Sequence, residues 1–418
     1  MTRMKDSGIE WIGEVPEDWG TGKIKYYAEI SAGSTPDRTN ELFWNGDIPW
    51  MASGEVNQGV VTHTAEKITK LGLRNTSTKL LSKGTVMLAL NGQGKTKGTA
   101  AILNIETASN QSLASFDVNN EFVNGYFLYY YFVANYSNIR GLKGEDRDGL
   151  NLKLVSNIEI PLPSIDEQLK IADFLDKKVA QLDKVKSLLE EQIKTLEDYR
   201  QSLIYETVTR GLDKTVSFKE VDNKWISVIP SDWEERKLRY LAQTRNEKIL
   251  TENSDSYVGL ENITPRTGLY IETESEVDLT ENISFKQGDI LFGKLRPYLR
   301  KFWKAEFDGT ASSEFIIFKD SILDLEFLYW AIQSDSFVND VNSSTYGSKM
   351  PRASWEYIKE IKIPFPVSQN EQKSIVKFLN EKVVQINQMI AIKKEQIENI
   401  NKQRQTLIYD YVTGKRRV

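Results

Sequence analysis

The chain repeats itself, and this constrains its fold more than any other feature. One copy opens Trp11-Ile12-Gly13-Glu14-Val15-Pro16-Glu17-Asp18-Trp19, and the other opens Trp225-Ile226-Ser227-Val228-Ile229-Pro230-Ser231-Asp232-Trp233. Lys23-Ile24-Lys25-Tyr26 then answers Lys237-Leu238-Arg239-Tyr240. Near the end of each copy stands an extended proline motif, Ile160-Pro161-Leu162-Pro163 and Ile363-Pro364-Phe365-Pro366. Capping boxes follow, Ser164 with Glu167 and Ser368 with Glu371, and each predicts a helix start. Both helices close alike, Arg200 to Thr209 and Arg404 to Thr413. Gly211 and Gly414 then stand where a helix end favours glycine. The order is domain, helix, domain, helix. The predicted bounds are 1–163, 164–213, 214–366 and 367–418.

Heptad spacing predicts that the helices pair. Leu175, Leu182, Leu189, Leu196 and Leu203 recur every seventh residue, with Val179 and Ile193 on the alternate seam. The second helix places Leu379, Ile386, Ile400 and Leu407 on one seam and Val383, Ile390 and Ile397 on the other. Helix one leaves the first domain and delivers the chain to the second, so a helix returning along it runs antiparallel. About 45 residues at a 1.5 Å rise give a rod of roughly 65 Å. Each domain reads as mixed strand and helix. Thr85–Leu90 and Asp289–Phe292 read as strands, and Phe127–Val133 and Phe327–Ile332 as aromatic helices. The expected class is α+β, with two similar domains at opposite ends of a long antiparallel two-helix coiled coil, related by a pseudo-twofold axis.

In each copy the loop after one strand carries groups suited to nucleic acid. In the first it is Asn91-Gly92-Gln93-Gly94-Lys95-Thr96-Lys97-Gly98, and in the second Gly293-Lys294-Leu295-Arg296-Pro297-Tyr298-Leu299-Arg300-Lys301. Lys and Arg meet phosphates, Asn, Gln and Arg read base edges, and glycine lets backbone approach closely. A second loop precedes each proline motif, with Lys143, Arg147, Asn151 and Lys153 in one copy and Lys349 and Arg352 in the other. The net charge of −5 argues against a uniformly basic binder. Residues 286–304 nevertheless carry six Lys and Arg against Asp289 alone, so a local basic surface is expected within an acidic whole.

Catalytic chemistry finds little support. With no cysteine, disulfides and thiolate metal sites are excluded. The one histidine, His63, lies in a polar stretch and reads as a surface residue. Ala89 to Thr96 loosely fits a phosphate-binding loop. That loop must open a helix, and Thr99–Leu103 reads instead as a strand. No methyltransferase or nuclease constellation stands out. No apolar run has signal-peptide or membrane-spanning length, so a cytoplasmic protein without membrane contact is expected.

Taken as a set, the doubled Trp-Ile openings, Asp289 to Tyr298, and Ile-Pro-x-Pro followed by Glu167-Gln168 or Glu371-Gln372 resemble the specificity subunits of type I restriction–modification enzymes. That resemblance covers essentially the whole chain. It implies a non-catalytic subunit whose two target-recognition domains each read one half of a split site on double-stranded DNA. It also implies two methyltransferase subunits held by the helices, and restriction subunits completing the nuclease. S-adenosylmethionine, ATP and Mg²⁺ would be bound by those partners, and no cofactor or metal by this chain. The competing reading is a coiled-coil structural protein whose end domains bind other proteins.

Overall fold

A computed structural model describes residues 3–143, 149–250, 256–273, 281–347 and 349–418. The chain divides into two compact units, residues 1–189 with 395–418, and residues 190–394. Each unit is therefore built from one domain, the near half of the helix that leaves it, and the far half of the other helix.

The frame is the same in both. Among the described residues of the first unit, a sheet runs in the order Ala28–Ala32, Leu113–Val118, Val86–Ala89, Ala100–Leu103 and Val60–Val61. In the second unit the order is Ala242–Arg245, Phe315–Ser321, Ile290–Gly293 and Phe302–Lys304. Both sheets centre on an antiparallel hairpin, Val86–Ala89 with Ala100–Leu103 and Ile290–Gly293 with Phe302–Lys304. The predicted aromatic helices form, as Gly125–Ala134 and Leu325–Ala331. The proline motifs are strands, Glu159–Leu162 against Gly20–Lys23 and Lys362–Pro366 against Trp233–Lys237. Proline is tolerated in such two-stranded edges because an outward-facing N–H is not needed.

The long helices run over Ile165–Arg210 and Gln369–Val412. Gly211 and Gly414 terminate them in the left-handed region, at φ of 70° and 72°. Within the first unit the partner of a rising position on the central helix falls along the C-terminal helix. Phe174 stacks near Tyr411 at 4.5 Å, and Asp183 pairs with Arg404 at 3.3 Å. Within the second unit Gln192 meets Lys393 at 2.6 Å and Arg200 meets Asn387 at 2.6 Å. The pairing is antiparallel in each. Leu175, Leu379, Ile386 and Ile390 are buried, and Leu182, Leu189, Leu196, Leu203, Ile397, Ile400 and Leu407 are half-buried, as seam residues should be.

The last turns of each helix do more than continue a seam. Ile204 and Val208 of the central helix lie in the core of the second domain, with Trp233, Phe327 and Ile375. Ile408 and Val412 lie in the core of the first, with Trp19, Phe127 and Ile171. Gly414 packs so closely on Pro16 that a Cβ would sit 2.3 Å from its ring.

The capping boxes are only half formed. Ser164 and Ser368 accept from the amides of Glu167 and Glu371 at 3.3 and 3.4 Å. The glutamates, however, turn to the indole N–H groups of Trp19 and Trp233, at 3.1 and 3.0 Å. A buried indole needs an acceptor, and the glutamate supplies it. The next residue, Gln168, is fully buried. Its Oε1 accepts from the Asn124 amide at 2.8 Å, and its Nε2 donates to the Phe122 and Pro163 carbonyls at 2.9 Å each. Gln372 does the same for Asp324 and Pro366 at 2.7 and 2.8 Å. These residues tie the proline strand, the aromatic helix and the long helix together.

Candidate nucleic-acid interface

The two loops singled out in each copy are distant in sequence, and the structure joins them in both units. In the first, the loop from Asn91 to Gly98 closes the central hairpin, with the Gly98 amide donating to Ala89 at 2.8 Å. Gly92, Gly94 and Gly98 all have positive φ, which lets the loop fold back on itself. Tyr136 donates to the Lys95 carbonyl at 2.9 Å and Arg140 to that of Lys97 at 3.1 Å, fixing the loop from behind. The second loop docks on it, where the Leu150 amide donates to Leu90 at 3.1 Å and Gly149 packs on the Asn91 amide oxygen. Because Ala89 to Thr96 spans the turn of an antiparallel hairpin rather than opening a helix, it is no phosphate-binding loop.

In the second unit the joining is a short β-like ladder. The Lys294 carbonyl accepts from Ala353 at 3.0 Å, the Arg296 amide donates to Pro351 at 2.7 Å, and Leu295 bridges Arg352. Arg296 sits in the left-handed region at φ 51° and donates through Nη2 to the Lys349 carbonyl at 3.3 Å.

Side by side, the predicted residues separate into two groups. Asn91, Gln93, Lys95, Lys143, Lys153, Tyr298 and Lys349 are exposed, and Lys97 and Arg296 are partly so. Others are committed to the fold. Asn151 caps the helix Leu152–Ser156, accepting from Leu154 at 2.9 Å. The Arg300 side chain is only 11% exposed, pairs with Asp335 and donates to Gln201 at 3.0 Å. Lys301 donates to the Leu260 carbonyl at 2.5 Å, and burial holds its ammonium below the usual lysine range. Burial does the same to Lys294, helped by the charge of Arg352. Arg352 bonds Glu314, with Nε to Oε2 at 3.0 Å. Arg147 lies outside the described residues. His63 is exposed, as its polar setting predicts.

Half of the six cations in the expected basic footprint of residues 286–304 are thus paired with acids. Lys286 meets Asp308 at 2.9 Å, Lys304 meets Glu326, and Arg300 meets Asp335. These acids come from segments that a linear reading of the run does not include. The structure also adds groups that spacing did not reveal. In the first unit Arg38 lies over the Trp44 ring at 4.0 Å and bonds Glu66 at 3.0 Å, beside the exposed Asn45 at φ 60°. Tyr26 and Tyr240 are exposed at matching places, each with a cation beside its ring, Lys25 at 5.3 Å and Arg239 at 4.7 Å. The Lys-x-Lys/Arg-Tyr repeat was the only signal for the latter pair.

What the two units share is the frame, and what they present at the joined loops differs. The comparison with known families decides what such a frame is. The model of the type I restriction modification DNA specificity domain matches twice, over residues 16–197 and 230–402. The chain belongs to this specificity family. Two relatives illustrate how far the likeness runs. The specificity subunit of the type I restriction enzyme MjaVIII from Methanocaldococcus jannaschii is 24% identical, over 97% of this chain and 94% of that one. The specificity subunit of EcoDI from Escherichia coli is 22% identical, over 85% and 79%. The fold is shared with solved chains. One, from work on assembly and conformational transition of the type I restriction–modification system, superposes with a TM-score of 0.71 at 14% identity, covering 96% of this chain and 99% of that chain. The HsdS subunit from Thermoanaerobacter tengcongensis gives 0.54 at 14% identity, covering 96% and 98%. The chain is two repeated domains of mixed α and β structure, each followed by a long helix. Among the described residues, no helix is long and apolar enough to cross a membrane.

Proposed function

We propose that this chain is the non-catalytic, DNA-reading subunit of a cytoplasmic type I restriction–modification complex. Each domain reads one half of a split, asymmetric site on double-stranded DNA, through the joined loops described above. The observation that carries this reading is the pairing of a constant frame with variable loops. In both units one hairpin loop and one loop before the proline strand are hydrogen-bonded into a single exposed surface. The side chains there differ, Asn91, Gln93 and Lys95 in one and Arg296, Tyr298 and Lys349 in the other. Direct readout depends on which donors and acceptors face the bases, so unlike loops read unlike half-sites. The reading set excludes Arg300, Lys301 and Arg352, whose cationic groups are engaged within the fold, and Asn151, whose Oδ1 caps a helix.

Two methyltransferase subunits, held by the helices, supply methylation, and restriction subunits supply cleavage. S-adenosylmethionine, ATP and Mg²⁺ belong to those partners. A purely structural coiled-coil protein has no use for unlike loops on like frames. The test is methylome sequencing of cells that express this chain with its methyltransferase partner. The expected result is a motif with two different halves separated by an unread gap. Replacing Gln93 and Lys95 by alanine should change recognition of one half only. A palindromic or unsplit motif refutes the reading.

A further inference from the structure

Arg200 and Arg404 hold the same place in the two repeats, each opening the run Arg-Gln-Ser/Thr-Leu-Ile-Tyr near the helix end. Their surroundings differ in charge. In the first unit Arg404 faces the carboxylate of Asp183, Nε to Oδ1 at 3.3 Å. In the second unit the residue in the place of Asp183 is Asn387, and Arg200 donates to its amide oxygen at 2.6 Å. A second carboxylate is lost the same way. Asp176 accepts from the Tyr130 hydroxyl at 2.6 Å, whereas its counterpart Asn380 accepts from the Trp330 indole at 3.0 Å.

Arg200 is nevertheless the more buried of the two. It is 3% exposed, and its Nε, like that of Arg404, has no hydrogen-bond partner. The charged groups around it are Glu197, Asp335, Arg266 and Arg300. Glu197 already lies 3.7 Å from Arg266, and Asp335 is already paired with Arg300. Both of these acids are thus already paired with another guanidinium group, and among the described residues no carboxylate is paired with Arg200 itself as Asp183 is with Arg404. An uncompensated buried charge is costly, because the field of bulk water no longer screens it.

Beside this charge lies a cavity of about 270 Å³, lined among others by Arg200, Arg266, Gln333, Asn380 and Asn387. Lys304 and Glu306 also line it, but Lys304 is paired with Glu326 and Glu306 is exposed to solvent. At roughly 30 Å³ per water, the space takes a small anion with part of its hydration. We propose that this cavity binds a small oxyanion, a carboxylate or a phosphate, which answers Arg200 as Asp183 answers Arg404. Charge-assisted bonds from guanidinium groups suit either oxyanion.

The test uses the full chain. Phosphate and acetate are titrated separately at constant ionic strength, with chloride as the reference, following tryptophan fluorescence and thermal unfolding. Trp303 and Trp330 line the cavity and report on it. The expected result is a saturable response to at least one oxyanion that chloride does not reproduce. Restoring the carboxylate in Asn387→Asp should weaken that binding at least tenfold and raise the melting temperature in its absence. Arg200→Gln should abolish the response, and the asparagine variant, which keeps the buried arginine in place, carries the decision. A wild-type chain that responds to neither oxyanion beyond chloride overturns the proposal. So does an Asn387→Asp variant that binds as tightly as wild type.

Discussion

Replacing Gln168 or Gln372 by leucine tests whether the two repeats are held together by the same buried polar joint. Leucine is close in volume and leaves no cavity, so the cost comes from the bonds. Gln168→Leu strips partners from three backbone groups, the Asn124 amide and the Phe122 and Pro163 carbonyls. Gln372→Leu strips two, the Asp324 amide and the Pro366 carbonyl. Each buried group left unmade costs about 2 kcal/mol, and the added apolar burial returns about 1.5 kcal/mol. The first variant should therefore lose about 4.5 kcal/mol and the second about 2.5 kcal/mol. For units near 200 residues that means melting shifts of roughly 9–18 °C and 5–10 °C. The units need not melt together, so calorimetry should be paired with hydrogen exchange. Exchange should rise first in Gly125–Ala134 for Gln168→Leu and in Leu325–Ala331 for Gln372→Leu. If both variants melt within 1–2 °C of wild type, the joint is solvated and the reasoning fails.

Arg300→Ala should destabilise the second unit through Asp335 and Gln201 and leave the salt dependence of DNA binding nearly unchanged. Tyr298→Ala and Lys349→Ala should do the reverse, weakening binding with little effect on melting, and a filter-binding salt titration separates the two patterns. Gly414→Ala should cost more than Gly211→Ala. Both residues have positive φ, but a Cβ at Gly414 meets the Pro16 ring at 2.3 Å, while at Gly211 it meets the Trp233 indole at 3.2 Å. Chemical denaturation of both variants checks the order.

The sequence by itself determined the repeat, the domain-and-helix order, the helix-terminating glycines and the apolar seam. Each of these is a local rule: a cap, a left-handed residue, or a period that a helix makes visible as a face. The hairpin loops were legible for the same reason, since strand, glycine-rich turn and strand follow one another along the chain. What only the tertiary structure decided is what each face meets. Periodicity shows that Ile204, Val208, Ile408 and Val412 lie on an apolar stripe, but not that each pair completes the core of the domain that did not launch its helix. A capping box reads the same whether its glutamate turns back to the backbone or reaches the indole of a tryptophan nearly 150 residues earlier in sequence. In the basic run at 286–304, Lys286, Lys304 and Arg300 are answered by Asp308, Glu326 and Asp335, which lie outside it in sequence. Charge acts through space and is cancelled by whatever folding brings within a few ångströms. The chain order therefore fixed which groups exist, and three-dimensional packing fixed which of them remain available to a ligand.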